Sequence, residues 1–234
     1  MSWIERPKSA KPANPSKKFL EWSSEHKTFH YWDKEKGEKG ERVYLELPLK
    51  FVILEHYHTI TGFDQDENTG IYANEVFMIG QETLNVRRFK GQPVAEGLYK
   101  DIKNDVNKVG GRYARSIYAV TTDKELVNFK LMGSAVSSYY DFIDKFGDSN
   151  FDTRWIKVAK FEEGKKGAVK YTYPVFEPST PIKDKSALQP FADELQEYIL
   201  KYLEGDMVPK ESEVDKYNAS KESESYEEED DLPF

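Results

Sequence analysis

The chain has 234 residues, of which 38% are hydrophobic and 32% charged, a balance typical of a globular protein with a large polar surface. It contains no cysteine, which excludes disulfides, thiolate metal sites and a cysteine nucleophile. The net charge is −8, but the segment from Lys210 to Phe234 alone carries ten acidic residues and three lysines. The other 209 residues therefore have a net charge of only −1, so basic patches among them can bind phosphate.

The first half of the chain predicts mostly strands. Residues 1–14 are rich in Pro, Lys, Ser and Ala, which predicts a flexible basic arm. A short helix is expected from Ser16 to Ser23, because Ser16 can cap it and Phe19 and Trp22 share one helical face. Alternating β-prone residues then predict strands at 28–33, 42–61, 71–79 and 85–89.

The second half mixes helices with strands. Apolar residues at helical spacing predict helices, each followed by Gly, at 97–109, 134–146 and 186–203. Strands are expected at 112–121 and 126–132, and a hairpin pairs 154–161 with 168–176 around the polar turn EEGKKG. Pro174 has no backbone N–H for a sheet ladder, which indicates that the returning strand lies at an edge.

These elements predict a mainly β (α+β) domain over residues 15–205. It contains a five-to-seven-stranded sheet with helical insertions and ends in a C-terminal amphipathic helix. By pattern alone, any small α+β domain would satisfy the order of elements. Residues 206–234 are expected to form a disordered acidic tail, because like charges repel and little apolar surface is available to bury.

The last eight residues, EEEDDLPF, combine five consecutive carboxylates with an apolar end. This segment resembles the acidic tip of bacterial and bacteriophage single-stranded-DNA-binding proteins, in which an Asp-rich run precedes a Pro-Phe pair. It differs from the commonest bacterial form in having Leu232 where Ile is usual, and no long Gly/Gln-rich linker precedes it. The similarity covers only these eight residues.

The resemblance implies a partly open barrel of the oligonucleotide-binding (OB) type that coats single-stranded DNA without strong sequence preference. It also implies roles in DNA replication, recombination and repair, in the cytosol of a bacterial or phage-infected cell. The tip is then expected to recruit partner proteins through Asp230, Asp231, Leu232, Pro233 and Phe234.

Cations beside aromatic rings indicate where the body would hold a single strand, because phosphates need Lys or Arg and unpaired bases stack on rings. Three strand segments offer both: NVRRFK, RYARSIY and the hairpin. The predicted DNA-binding residues are Arg87, Arg88, Lys90, Arg112, Tyr113, Arg115, Trp155, Lys157, Lys165, Lys166, Lys170, Tyr171 and Tyr173. Strand periodicity sends alternate residues inward, so part of this aromatic set is expected in the core.

No phosphate-binding loop, nucleophile elbow or metalloprotease motif occurs, so neither catalysis nor a cofactor is predicted. His56 and His58 share a strand face but lack an obvious third ligand, and the loop DQDENTG lacks the ligand spacing of a calcium loop. No signal peptide or transmembrane run is recognised. Three alternatives stay open: a protein adaptor in which only the acidic tail functions, a metal-dependent nuclease, and a protein that anneals complementary strands.

Overall fold

The computed structural model describes residues 14–147 and 151–203 of the chain. The fold is mainly β, with three helices packed on one extended sheet in this part of the protein. The strands are β1 (Lys18–Ser23), β2 (Thr28–Asp33), β3 (Glu41–Tyr44), β4 (Leu49–Asp64), β5 (Thr69–Ala73), β6 (Leu84–Arg88), β7 (Pro93–Gly97), β8 (Gly111–Thr121), β9 (Leu126–Met132), β10 (Arg154–Lys166) and β11 (Val169–Pro181). The helices are α1 (Tyr99–Lys108), α2 (Ser134–Phe146) and α3 (Gln189–Leu203).

The sheet is open, and its strands run in the order β3-β2-β1-β9-β8-β4-β5-β6-β7. Only the contact between β1 and β9 is parallel among the strand pairs described. The hairpin of β10 and β11 branches from this path, because β10 pairs with the start of β4 while β5 pairs with its end. β4 therefore has two different neighbours on one side, and both are positioned by its length of 16 residues.

A β-bulge divides β4 into two halves. Odd-numbered side chains face the core before the bulge, and even-numbered side chains face it after the bulge. The register with β8 shifts between Ile53 and Glu55, so Phe51 and Ile53 before the bulge lie on the same face as Ile60 after it. We call the sheet face that bears Phe51 and Ile60 the core face, and the face that bears Tyr57 and Thr61 the outer face. The bulge therefore decides which β4 side chains enter the core.

The core face is covered by α1, α2 and an aromatic cluster. Ile102 and Val106 of α1 pack against the sheet, as do Val136, Tyr139 and Phe142 of α2. The Phe142 and Tyr139 rings meet Phe176 of β11 at centroid distances of 6.3 and 5.6 Å. Because α2 carries its apolar residues at helical spacing, a single stripe of the helix fills this side of the core.

The centre of the outer face is covered by α3. Leu195, Tyr198 and Ile199 form a second, smaller apolar cluster with Tyr57 of β4 and Tyr118 of β8. Next to this cluster lies a buried polar group, in which Lys130 Nζ is 2.7 Å from Glu75 Oε1 and also donates to Ser116 Oγ. The Tyr118 hydroxyl donates to the other Glu75 oxygen at 2.9 Å, so both carboxylate oxygens are bonded in this interior position.

The helix predicted at Ser16–Ser23 is wrong, because residues 18–23 form β1. The i, i+3 spacing of Phe19 and Trp22 imitates a helix, but Leu20 and Trp22 are the residues that pack against the core. Parallel pairing with β9 and antiparallel pairing with β2 stabilise the extended form. β9 is more than a hundred residues away in the chain, so tertiary pairing overrides the local preference.

Several strands begin or end at residues other than those predicted. The described sheet also has eleven strands rather than five to seven. The expected strand 42–61 is split into β3 and β4, with a cis Leu47–Pro48 peptide in the link. The strand expected to reach Ile79 ends at Ala73, and β7 was not expected. The hairpin is longer than predicted, because most of the charged segment EEGKKG belongs to β10 and only Gly167 and Ala168 lie between the strands.

Other predictions are confirmed. β2, β9 and α2 have the limits expected from the sequence. The helix predicted at 186–203 is present as α3, but it begins three residues later, at Gln189. β11 pairs only with β10, so the strand that carries Pro174 lies at an edge of the described sheet. Residues 1–13 of the arm predicted at 1–14, and the tail from residue 206, lie outside the described residues.

The docking of α3 can be tested with two leucines of the same helix. Leu195 is 4% exposed and Leu200 is 53% exposed. We expect Leu195→Ala to lower the free energy of unfolding by about 2–4 kcal/mol, because it leaves a cavity between α3 and the sheet, whereas Leu200→Ala changes it by less than about 0.5 kcal/mol. Urea unfolding followed by circular dichroism measures both, and equal effects of the two variants would contradict this docking.

Candidate nucleic-acid interface

The hairpin of β10 and β11 extends beyond the rest of the sheet. Only Ile156, Lys157 and Val158 of β10 pair with β4, whereas β10 and β11 pair with each other from Arg154 to Lys166. Beyond Val158 the hairpin is therefore a two-stranded ribbon. Isolated ribbons of this kind are only marginally stable in water, so its contacts with the body matter.

The turn between β1 and β2 supports one side of this ribbon. Ser24 accepts the Thr172 N–H at 2.7 Å and the Thr172 hydroxyl at 2.8 Å, and the Trp22 indole N–H donates to the Thr172 carbonyl at 2.9 Å. Lys27 lies 4.8 Å from the centroid of the Phe161 ring. The supported side continues the core face, because Val158 and Phe176 on it are buried.

The opposite side of the ribbon continues the outer face and bears most of the predicted hairpin residues. By strand alternation, Trp155 and Lys157 lie opposite the buried Ile156 and Val158, and on β11 Tyr171 and Tyr173 lie opposite Thr172 and Pro174. The members of this hairpin patch are Trp155, Lys157, Lys166, Tyr171 and Tyr173. All three rings are half-buried, so each retains an accessible part.

Gly164 determines how one of these rings lies. A Cβ atom built on Gly164 would come within 2.3 Å of the Tyr171 ring, which faces it across the ladder. The ring therefore lies over the glycine on the sheet surface, and any larger residue at 164 would displace it. Tyr171 and Tyr173 are 6.3 Å apart between ring centroids, and the Tyr173 hydroxyl donates to Glu162. Two neighbouring rings on one strand make an extended surface for stacking.

The tip of the hairpin concentrates positive charge. Lys165 and Lys170 are directly opposite each other in the ladder, both exposed, and Lys166 is next to them. Like charges at opposed positions destabilise a ladder, and a bound anion relieves that repulsion. Lys165 and Lys170 lie on the supported side of the ribbon, so the tip presents cations on both of its sides.

Lys157 has an ion-pair partner within the hairpin. Its ammonium is 3.2 Å from Glu177, and Lys160 is 3.1 Å from the other oxygen of the same carboxylate. Hydrogen bonds from Lys160 and Lys157 lower the pKa of Glu177, so it remains charged at neutral pH. Two lysines share one carboxylate, and the group therefore keeps a net positive charge.

A second group of cations crosses four strands at the other end of β4. The register places Arg112, Thr61, Tyr72 and Arg87 side by side on β8, β4, β5 and β6. We call these four residues the arginine row. Thr61 and Tyr72 follow the core residues Ile60 and Ile71, so the row lies on the outer face. Tyr72 was not predicted as a site residue, because only the strand register places it between two arginines.

Hydrogen bonds hold both arginines of the row. The Arg87 Nε donates to Asn85 Oδ1 at 2.9 Å, and Arg112 Nη1 donates to the carbonyls of Asn107 and Gly111 at 3.2 and 3.0 Å. These acceptors are neutral, so they orient the two guanidinium groups without cancelling their charge. Burial raises the pKa of the Tyr72 hydroxyl, and the charge of Arg87 partly opposes this change. The ring therefore stays uncharged near neutral pH.

Arg88 belongs to neither group, because its guanidinium is held in an ion pair. The Arg88 Nε donates to Asp64 Oδ2 at 2.7 Å, in an ion pair whose carboxylate is 3% exposed. Burial alone would raise the pKa of Asp64, but the bonds from Arg88 and from the backbone N–H groups of Glu67 and Asp66 lower it overall. This arginine therefore closes the loop after β4. The Lys90 side chain lies outside the described set.

Tyr113 and Arg115 lie on the core face, which corrects their prediction as surface contacts. Tyr113 is 1% exposed and Arg115 is 6% exposed. Their neighbours across the ladder, Ile60 and His58, share this face, which α1 and α2 cover. The sequence showed that the two residues share one face of a strand, but the identity of the buried face depends on the register with β4.

Each histidine of β4 bonds a tyrosine rather than a common ligand. His56 Nδ1 is 2.8 Å from the Tyr139 hydroxyl, and His58 Nδ1 is 2.6 Å from the Tyr113 hydroxyl. Within residues 14–147 and 151–203, no cluster of three or more His, Asp or Glu side chains has the geometry of a metal site. In the same part of the chain, no helix combines the length and apolar character needed to cross a bilayer.

The two groups of cations and rings are separated by α3 on the same outer face. The hairpin patch adjoins Leu49–Phe51 of β4, and the arginine row crosses β4 at Thr61, roughly 30 Å farther along the strand. Between them Tyr57 and Tyr118 are covered by the helix.

Comparisons with protein-family models, with curated proteins and with solved structures found no match for this chain.

The buried histidine His58 predicts how stability depends on pH. Burial, followed by the charges of Arg115 and His56, lowers its pKa from 6.5 to about 3. Below about pH 6.5 the unfolded chain binds a proton that the folded protein does not. The free energy of unfolding should therefore fall as the pH drops from 6.5 toward 3, by up to about 1.4 kcal/mol per pH unit for one such group.

His58→Gln should make this pH dependence shallower, measured by urea unfolding at a series of pH values. His26→Gln is the matched control, because His26 is exposed on the turn after β1. His30 also has a pKa lowered to about 4 by burial and by Arg42, so some dependence will persist in both variants. An unchanged slope in His58→Gln would contradict the assignment.

Proposed function

We propose that this protein binds single-stranded DNA and acts in DNA replication, recombination or repair. The observation that carries the proposal is the hairpin patch, in which Trp155, Tyr171 and Tyr173 share the unsupported side of a ribbon with Lys157 and Lys166. Cations bind the phosphates of a strand in any sequence, and every base has a face that can stack on a ring. The combination therefore suits binding without strong sequence preference.

Single strands are the preferred ligand in this proposal because the rings are useful only to unpaired bases. In a duplex each base is stacked on its neighbours and paired, so an aromatic side chain cannot cover its face without disrupting the helix. Stacking contributes about 1–3 kcal/mol per base where it is accessible. A duplex would retain only the phosphate contacts of the lysines and arginines.

We infer that the arginine row is a second contact for the same strand. It lies on the outer face, as the hairpin patch does, and it places the Tyr72 ring between Arg87 and Arg112. A strand bound to both groups would follow the direction of β4 past α3. The separation of roughly 30 Å then requires several nucleotides between the two contacts.

We further propose that the sheet is an elaborated barrel of the OB type that is not closed. In support, a long strand with a bulge, β4, pairs with different strands at its two ends, and a hairpin extends from the sheet beside it. Bulged strands of this kind are how small barrels curve. The additional strands β2, β3 and β5–β7 would then be extensions, and the other six strands would form the barrel unit.

The acidic tip completes the proposal. Asp230, Asp231, Leu232, Pro233 and Phe234 lie outside the described residues, so their assignment as a partner-binding segment rests on the resemblance of the sequence. An acidic run followed by an apolar end suits a basic surface with an apolar pocket on a replication or repair protein. We place this activity in the cytosol of a bacterial or phage-infected cell.

The hairpin patch can be tested by removing one aromatic ring from each side of the ribbon. We expect Tyr171→Ala to weaken binding of a labelled single strand of about thirty bases by roughly 5- to 100-fold, because one stacking contact is lost. Phe161→Ala is the control, since Phe161 is a ring of the same ribbon on its supported side. Fluorescence anisotropy measures both, with the duplex as a second ligand.

Equal effects of the two substitutions would remove the hairpin patch from the interface. Binding that is absent in the unmodified protein, for single strand and duplex alike, would favour a protein adaptor whose acidic tail is the functional part. Magnesium-dependent cleavage of the strand would instead favour the nuclease alternative.

The arginine row predicts a change in salt dependence. Arg87→Gln with Arg112→Gln should reduce the slope of log affinity against log salt by up to about 1.4, because each lost phosphate contact on a single strand contributes about 0.7. Lys100→Gln with Lys108→Gln on α1 removes the same charge from another part of the body and should leave the slope nearly unchanged. If both double variants lower the slope equally, only net charge matters and the row is not a contact.

A further inference from the structure

The guanidinium group of Arg115 is buried without a carboxylate partner. The residue is 6% exposed on the core face of β8, and its Nε and Nη1 atoms have no hydrogen-bond partner. The ion pairs found in the described part of the chain do not include it. Buried cations in proteins are otherwise paired or bound to an anion, so this arginine differs from Arg88 and Lys130.

The groups around Arg115 are polar or aromatic but neutral. The Tyr140 ring centroid is 6.0 Å from the guanidinium carbon, and the Tyr113 hydroxyl, which interacts with Arg115, is 2.7 Å from the Tyr140 hydroxyl. His58 faces Arg115 across the ladder and bonds the same Tyr113 hydroxyl. These described neighbours therefore contain hydroxyl and imidazole groups for orientation, and none of the three carries a negative charge.

His58 and Tyr140 are neighbours of Arg115 that are partly exposed at the protein surface. Both side chains are only half-buried, whereas Tyr113 and Leu131 beside Arg115 are almost fully buried. A small ligand would reach the guanidinium between β4 and α2, on the opposite face of the sheet from the hairpin patch and the arginine row. The site is thus separate from the proposed strand interface.

We propose that Arg115 is the anchor of an oxyanion site that takes a phosphate or carboxylate group. Nε and Nη1 lie on different edges of the planar guanidinium, and each has an N–H group without an acceptor that can donate to an oxygen of a bound anion. The Tyr140 hydroxyl can bond a further oxygen. Arginine offers several N–H donors on one planar group, whereas lysine would place its charge on a single nitrogen.

The first probe is inorganic phosphate, added to the full chain at constant ionic strength set with chloride. Acetate is the second probe, because it presents the carboxylate form of the same chemistry. The direct measurement is the Arg115 Nε–H resonance in a proton–nitrogen NMR spectrum, assigned by its loss in Arg115→Met. We expect a saturable shift of this resonance with at least one of the two probes.

Calorimetric titration provides the comparison between variants. Arg115→Met should weaken binding of the effective probe by at least about tenfold, while Arg154→Met, which removes an exposed guanidinium, should leave it unchanged. Should Arg115→Met fail to fold, Arg115→Lys keeps the charge and should still weaken binding, because lysine cannot place donors at the positions of both Nε and Nη1. A response to neither probe, or equal binding by the wild type and the Arg115 variant, would overturn the proposal.

A single strand of thymidines distinguishes two sources of the phosphate. If it shifts the Arg115 Nε–H resonance, the phosphate belongs to the nucleic-acid backbone; if only the free anion does, the ligand is a small molecule. Either result supports an oxyanion site. DNA binding through Tyr171 is measured independently, so the failure of one proposal leaves the other in place.

Discussion

Strand β4 is the constraint on which the arrangement of this protein depends. It pairs with β8 over most of its length, while its other side pairs first with β10 and then with β5. The hairpin and the arginine row are therefore fixed to opposite ends of one strand, and their separation cannot change without breaking the ladder. A continuous backbone ladder is rigid, so the spacing between the two groups is fixed by the sheet.

The bulge in β4 determines which of its side chains lie on the core face and which on the outer face. Without the register shift between Ile53 and Glu55, the second half of the strand would turn Tyr57 and Thr61 toward the core and expose Ile60. The shift lets both halves contribute apolar residues to one core, although odd-numbered residues do so before the bulge and even-numbered residues after it. It also keeps Thr61 in line with Arg112 and Tyr72 on the outer face. One irregular position thus serves both the packing and the candidate interface.

The cations of the body differ in what they are able to bind. Lys130 and Arg88 are held by Glu75 and Asp64 in ion pairs with little exposure, and a buried pair is costly to break. Arg112 and Arg87 are oriented by neutral oxygens, so their charges are available to an anion. The lysines of the hairpin tip are exposed. Burial and pairing, more than the number of basic residues, therefore select the candidate contacts.

The sequence by itself determined the elements with strong local patterns. The limits of α2 and β9, the edge position of Pro174 and the charge contrast between the body and the tail all depend on neighbouring residues. It also placed Trp155, Tyr171 and Tyr173 on one hairpin, because their strands are joined by a short turn. The helix expected at Ser16–Ser23 failed for the opposite reason, since β1 also pairs with β9, which is more than a hundred residues away.

Only the tertiary structure decided which rings and cations are at the surface. Tyr113 and Arg115 carry the same local pattern as the hairpin residues, yet they are buried, because their face of β8 is the one that α1 and α2 cover. Tyr72 lies between two arginines only because β5 and β6 pair in one register. Strand alternation defines two faces in advance, but the choice between them depends on pairings between residues that are distant in the chain.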